Sequence, residues 1–243
     1  MTLYNLKCEY MTTPLGIDER KPRLSWAIRS EKHGSMQAAY RILVSSSPEI
    51  LNENRGDLWD SGKVLSDQSV HIEYEGKPLV PFMRYWWKVE VWSSECADSV
   101  ISEASWWETG YLDTGNWEGK WIGLAPENNP KFDKAPDNVG LPSPFLRKEF
   151  IVKSKVKRAR AYASALGLYE FYINGEKAGS ECFAPGWTDY DIRVQYQTFD
   201  ITGLLHEGSN CAGAILGDGW YTGNVAIVGR HQYGPYPLLF TGV

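Results

Sequence analysis

Apolar residues recur at every second position in short runs along the chain, and no stretch of useful length keeps the 3.6-residue period of a helix. Leu24, Trp26 and Ile28 share one face of a run. Tyr40, Ile42 and Val44 share another, as do Tyr85, Trp87, Val89 and Val91. At most a single helical turn is expected, at Thr202 to Leu205. Runs of this kind, bounded by Pro, Gly, Ser and Asp, bury one face against a second sheet. The chain is therefore predicted to be all-β and built from sandwiches.

Length sets how many. A single hydrophobic core usually serves about 100–200 residues, so a chain of 243 is expected to hold two tandem sandwiches. The first spans 1–112, with strands in Leu3 to Glu9, Leu24 to Ile28, Tyr40 to Val44, Leu58 to Gly62, Val70 to Tyr74, Tyr85 to Val91 and Trp106 to Gly110. A boundary is expected at Tyr111 to Asn116, and the second domain, 113–243, opens with Trp117 to Gly123. Residues 125–144 contain Pro126, Pro130, Pro136, Pro142 and Pro144 among Asn and Asp, which predicts a long surface loop.

Alternation then returns in Phe145 to Val152, Val156 to Ala165, Leu168 to Ile173, Val194 to Asp200, Asn210 to Leu216 and Pro237 to Val243. Asn174-Gly175 favours the positive-φ turn that joins antiparallel strands. A full jelly roll has about eight strands, and the last run ends in Thr241-Gly242-Val243 without a polar tail, so a sandwich cut short at its end is expected.

A net charge of −5 and a pI near 5.5 argue against a protein that tracks nucleic-acid phosphates, which needs clustered Lys and Arg. The richest basic stretch, Lys153 to Arg160, alternates with Val156, Ala159 and Ala161 and reads as the solvated face of a strand. No apolar run approaches the ~18 residues of a membrane span, and no leader is evident, so a cytoplasmic protein is expected. Cys8, Cys96, Cys182 and Cys211 are scattered without a C-x-x-C pair, which predicts free, partly buried thiols and no zinc site. Trp (11 residues) and Tyr (14) are abundant. Flat rings at that density either pack sandwich cores or stack on ligand rings.

The motifs Pro22-Arg23-Leu24-Ser25-Trp26, Ala39 to Val44, Trp59-Asp60-Ser61-Gly62, Tyr85-Trp86-Trp87-Lys88-Val89 and Trp107-Glu108-Thr109-Gly110 resemble the fibronectin type III-like, immunoglobulin-like domain that opens bacterial α-L-rhamnosidases. Tyr169 to Gly175, Ala184-Pro185-Gly186-Trp187-Thr188-Asp189-Tyr190, Val194 to Thr198 and Leu216-Gly217-Asp218-Gly219-Trp220-Tyr221 are similar to the jelly-roll, galactose-binding-like domain specific to that family. In such enzymes the chain continues into a helical α/α barrel that holds the active site.

The resemblance implies hydrolysis of terminal α-L-rhamnosyl residues with inversion by the whole enzyme. That chemistry needs a general acid and a general base about 6.5–9.5 Å apart. The family carries both on the barrel, and no residue here matches them, so no catalytic residue is expected in this chain, which alone should be inactive. Its implied role is to support and shape the cleft of the barrel, its partner in the same polypeptide, on rhamnosylated glycosides. The alternative is a stand-alone carbohydrate-binding module that recognises rhamnose-containing glycans, and a third reading is an adhesion protein built on tandem sandwiches.

Trp187 and Tyr190, after Ala184-Pro185-Gly186, and Trp220 and Tyr221, after Gly-Asp-Gly, leave strand ends where loops carry function. An indole face stacks on the C–H face of a sugar while Asp189 and Asp218 are placed to bind hydroxyls. The competing reading has these rings pin loops to the core and Asp189, Asp191 and Asp218 accept turn hydrogen bonds.

Some rhamnosidase jelly rolls resemble calcium-dependent rhamnose-binding modules that use an Asp-Asn pair. The matching stretch, Ala165 to Tyr169, offers neither carboxylate nor amide, so no metal is expected. Gly217-x-Gly219-x-x-x-Gly223 lacks dinucleotide-site spacing, His33, His71, His206 and His231 form no ligand pair, and no nucleophile elbow occurs. No cofactor is implied.

Overall fold

The computed structural model describes residues 1–94, 98–113, 115, 117–124, 142–225, 227, 229, 233–234 and 236–242. The chain forms two compact units, Met1–Asn116 and Trp117–Val243. Strand alternation and Gly/Pro-bounded turns give an almost purely β protein. No helix among the described residues is long and apolar enough to cross a membrane.

In the first unit β1 (Thr2–Cys8), β2 (Arg23–Arg29) and β5 (Ile72–Glu73) form a three-stranded sheet in the order β1-β2-β5. The opposing sheet runs β4 (Trp59–Asp60), β3 (Gln37–Ser45), β6 (Arg84–Ser93), β7 (Ser99–Ile101), and β8 (Ser105–Glu108) also pairs with β6. β6 is the hub because its inward residues Tyr85, Trp87, Val89 and Val91 are all fully buried, with Leu24, Ile42, Val44 and Trp107. Tyr85 stacks on Trp107 at 5.2 Å and 9°, and Tyr74 meets Trp107 edge-on at 5.9 Å. Burying each such side chain stabilises the fold by about 1.5–3 kcal/mol.

Gln37, 6% exposed, is tolerated in this core because its amide is satisfied. It accepts from Trp26 Nε1 (3.0 Å) and donates to the carbonyls of Ser66 (3.0 Å) and Gln68 (2.7 Å). The exit of β8 is stitched to the segment after β1: Ile17 N donates to Glu108 O (2.9 Å) and Gly110 N donates to Ile17 O (2.8 Å), a parallel bridge.

The expectation of no helix here is corrected by α1 (Pro48–Asn52), one turn with proline at its start and Ser47 Oγ accepting from Ile50 N. Only Leu51 of its five residues is buried, too few to show a period.

The second unit holds β9 (Phe145–Val152), β10 (Arg160–Leu166), β11 (Leu168–Ile173), β12 (Glu176–Lys177), β13 (Gln197–Asp200), β14 (Gly208–Gly217) and β15 (Leu238–Gly242), with a 3-10 turn at Thr202–Leu204 and one helical turn, α2 (Gly219–Thr222). Its sheets run β13-β10-β15 and β12-β11-β14-β9. They enclose Ala161, Ala163 and Ala165 with Tyr169, Phe171, Ile173, Phe199, Ile201, Leu216 and Leu239. Asn174 and Gly175, at φ +52° and +87°, make the β11–β12 turn.

Lys153 to Arg160 is not a strand. β10 begins only at Arg160, where the ladder with β13 starts at the Arg160–Asp200 pair. The lysines of this stretch are exposed, whereas the Arg160 side chain is 8% exposed and bonds Asp200 at 2.8 Å.

Of the proline-rich loop expected at 125–144, residues 125–141 lie outside the described residues. Cys8 is buried, Cys211 half-buried and Cys182 exposed, all free thiols; Cys96 lies outside the described residues.

Candidate functional site

Two loops of the second unit meet at one end of its sandwich. The first links β12 to β13 and turns sharply: Phe183 has φ +56°, the Ala184–Pro185 peptide is cis, and Gly186 has φ +102°. It is pinned from below, since Ala184 O accepts from Tyr169 N (2.9 Å) and Pro185 O accepts from Gln197 Nε2 (3.2 Å). Gln197 Oε1 in turn accepts from the Tyr169 hydroxyl at 2.7 Å. Tyr169 is buried, which pushes its phenol pKa well above the usual tyrosine range.

The second loop is the corner after β14. Gly219 has φ +53°, and a Cβ there would stand 2.8 Å from Leu168 Cγ, so only glycine lets α2 start so close to β11. That close approach brings Trp220 over the first loop.

The aromatic side chains form two layers. In the outer one Trp187 stacks on Trp220 with centroids 5.7 Å apart and planes 6° apart, and Phe183 leans on Trp220 at 6.3 Å and 57°. Phe183 is 71% and Trp187 56% exposed, whereas Trp220 is only partly exposed. The inner layer is a tyrosine triad. Tyr190 meets Tyr221 (5.3 Å) and Tyr233 (5.1 Å) edge-on, and Tyr221 stacks on Tyr233 at 12°. Tyr190 is 8% exposed, and burial, then the neighbouring Tyr233, raises its pKa. Burial, then Asp191 and Tyr236, raises that of Tyr221.

The six sequence candidates therefore separate by role. Trp187 and Trp220 form the exposed stack, while Tyr190 and Tyr221 hold the loops from beneath. Asp189 is exposed, its carboxylate accepting from Asp191 N at 3.2 Å and its carbonyl from the amides of Ile192 and Arg193. Asp218 precedes α2, and its carbonyl accepts from Thr222 N at 3.2 Å. Among the described residues no group of three or more His, Cys, Asp or Glu is arranged to hold a metal. Phe183 and Tyr233 were not legible as members; the only signal for Phe183 is its place just before Ala-Pro-Gly.

Phe183 and Trp187 are the most exposed rings of this arrangement. Trp220 is covered by Trp187 on one side and approached by Phe183, so the outward face of Trp187 is where a flat apolar surface can stack, with the Asp189 carboxylate two residues away.

Residues 3–113 match the family model of the Rha78A-like, N-terminal immunoglobulin domain, and residues 154–243 match that of the alpha-L-rhamnosidase N-terminal domain. The chain is the N-terminal region of an α-L-rhamnosidase family member. It is 36% identical over 227 residues to an alpha-L-rhamnosidase of Formosa agariphila, covering 88% of this chain and 24% of that one. An alpha-L-rhamnosidase of Streptomyces avermitilis is 29% identical over 390 residues, covering 95% of this chain and 38% of that one. Because that alignment is longer than the 243 residues here, the Streptomyces protein carries a long insertion that this chain lacks.

Among solved structures, the alpha-L-rhamnosidase from Dictyoglumus thermophilum superposes with a TM-score of 0.85 at 38% identity, covering 99% of this chain and 27% of that one. The Streptomyces avermitilis alpha-L-rhamnosidase complexed with L-rhamnose gives 0.87 at 26% identity, covering 99% and 39%. The rhamnosidase domains thus span between about a quarter and two fifths of these relatives' length.

Proposed function

We propose that this chain is the non-catalytic front of an enzyme that hydrolyses terminal α-L-rhamnosyl residues, and that its second sandwich shapes the substrate cleft of a catalytic barrel elsewhere in the polypeptide. The observation that carries this reading is the order of its two domains, which follow one another here as they do in rhamnosidases three to four times as long. The rhamnoside substrate comes from those relatives. The face that shapes the cleft is the outer layer of Phe183, Trp187 and Trp220. The free thiols of Cys8, Cys182 and Cys211 fit a reducing compartment, and a cytoplasmic location belongs to the same proposal.

The test is an aryl α-L-rhamnoside assay. The 243-residue chain alone should release no aglycone, the longer protein should, and Trp187→Ala in the longer protein should raise KM about tenfold, the loss of one ring stack of ~1.4 kcal/mol. Turnover by the short chain alone sinks the non-catalytic assignment, and an unchanged KM sinks the role of Trp187.

A second reading, a sugar-binding module in its own right, is favoured by the open face of Trp187. Calorimetric titration of this chain with L-rhamnose, with and without calcium, decides it: saturable heat lost in Trp187→Ala supports a module, and no heat leaves a scaffold.

A further inference from the structure

β9 forms one edge of the four-stranded sheet of the second unit, and among the described residues β14 is its only strand partner. Edge strands expose unpaired backbone donors and acceptors and are usually blunted by charged side chains, above all lysine, by proline, by bulges or by short length. Of these devices β9 carries only the charges, Arg147, Lys148 and Glu149. β9 is eight residues long, pairs with β14 without a bulge, and contains no proline. On its outward face Phe145 is 76% and Ile151 73% exposed. Between them on that face stand Arg147 and Glu149, bonded to each other at 2.6 Å with side chains 67% and 61% exposed.

About Lys148 the strand is self-complementary, with apolar residues mirrored at 146/150 and 145/151 and opposite charges at 147/149. Pairing two copies antiparallel with Lys148 opposite Lys148 sets Arg147 against Glu149, Leu146 against Phe150 and Phe145 against Ile151, each pair on one face of the sheet. Two-fold symmetry makes every contact twice, which gives two cross-strand ion pairs and four apolar pairs around one like-charge contact.

We propose that β9 is a self-complementary interface through which two copies of this chain join their four-stranded sheets into one continuous eight-stranded sheet. The occupant argued for is a second copy because, reversed about Lys148, the strand presents Glu149 to Arg147 and Arg147 to Glu149. This proposal is independent of the rhamnosidase reading. A strand-edge contact lies well below the ~1,200–2,000 Å² of a standard interface, and the Lys148 pair on the axis opposes it, so the association is weak and reversible.

Sedimentation velocity of the chain from micromolar to millimolar concentration should show conversion from 27.5 kDa to twice that mass. Arg147→Glu should abolish dimerisation by setting Glu against Glu twice. Arg147→Glu combined with Glu149→Arg should restore it, and Lys148→Thr should strengthen it at least several-fold. These side chains are exposed, and circular dichroism verifies that each variant folds. A monomer at every concentration overturns the proposal, as does a dimer indifferent to Arg147→Glu. If the chain stays monomeric while β9 is protected from hydrogen exchange only in the longer protein, the edge belongs to the rest of the polypeptide and the proposal fails.

Discussion

Trp187 and Trp220 stack with planes 6° apart although they belong to different loops, one between β12 and β13 and the other in α2. Neither loop has a regular ladder of its own at this point. The stack therefore reports whether the two loops are in place.

The Trp187–Trp220 pair at 5.7 Å contributes to the circular dichroism of the indole region, as does the Trp86–Trp106 pair at 6.4 Å and 57°. Trp187→Phe and Trp220→Phe should change that band in the same way, since each removes the same coupled pair and leaves Trp86–Trp106 in place. Because Trp187 is more than half exposed, Trp187→Ala should cost only about 0.5–1.5 kcal/mol in denaturant unfolding. A larger loss would mean that Trp187 is a core residue.

Gln197 links the buried Tyr169 hydroxyl to the Pro185 carbonyl. Gln197→Leu takes the donor from the Pro185 carbonyl, whereas the Tyr169 hydroxyl keeps the Ala163 carbonyl at 3.0 Å, so the change should cost about 1–2 kcal/mol and weaken the Trp187–Trp220 indole signal. If the band is unchanged, the loop is held by the tyrosine triad alone.

Gly219 combines a positive φ with a crowded approach to Leu168. Gly219→Ala should lower stability by about 1–3 kcal/mol, measured by calorimetry, and Gly175→Ala should cost less. Gly175 also has a positive φ but has nothing within 4 Å of its missing Cβ.

Glu9 is held below the usual carboxylate range, mainly by the hydrogen bond from the Arg23 side chain, with the Arg23 amide and charge assisting, against a desolvation that raises it. A depressed folded-state pKa contributes stability that is present above the unfolded value of about 4.3 and is lost as pH falls through the folded one. Glu9→Gln should therefore destabilise the first unit near neutral pH, and the difference from wild type should shrink in urea titrations as the pH is lowered below about 4.

The all-β architecture was legible because the inward residues of β2, β3 and β6 repeat with period two and are large. The basic stretch before β10 misled for the opposite reason. Its alternation of Lys with small residues mimics a strand, yet strand length is set by the partner, and β13 supplies only Gln197–Asp200. α1 and α2 are single turns, fixed by Ser47 in one case and by the glycine at the corner in the other.

At the candidate site the sequence showed which rings lie near turns. It could not show which would be buried, because Tyr190 and Trp187 sit three residues apart in one loop and differ only in what Tyr221 and Tyr233 place above them.

The parallel bridge from Ile17 to the exit of β8 also has a mechanical meaning. A load carried along the backbone past Glu108 would otherwise peel β8 from β6 one hydrogen bond at a time. Ile17 N is held by Glu108 O and Gly110 N holds Ile17 O, so releasing this end of β8 requires both bonds of the bridge to break. Fraying of this end of β8 is thus opposed by two bonds from a segment nearly a hundred residues away in sequence, besides its own pairing with β6.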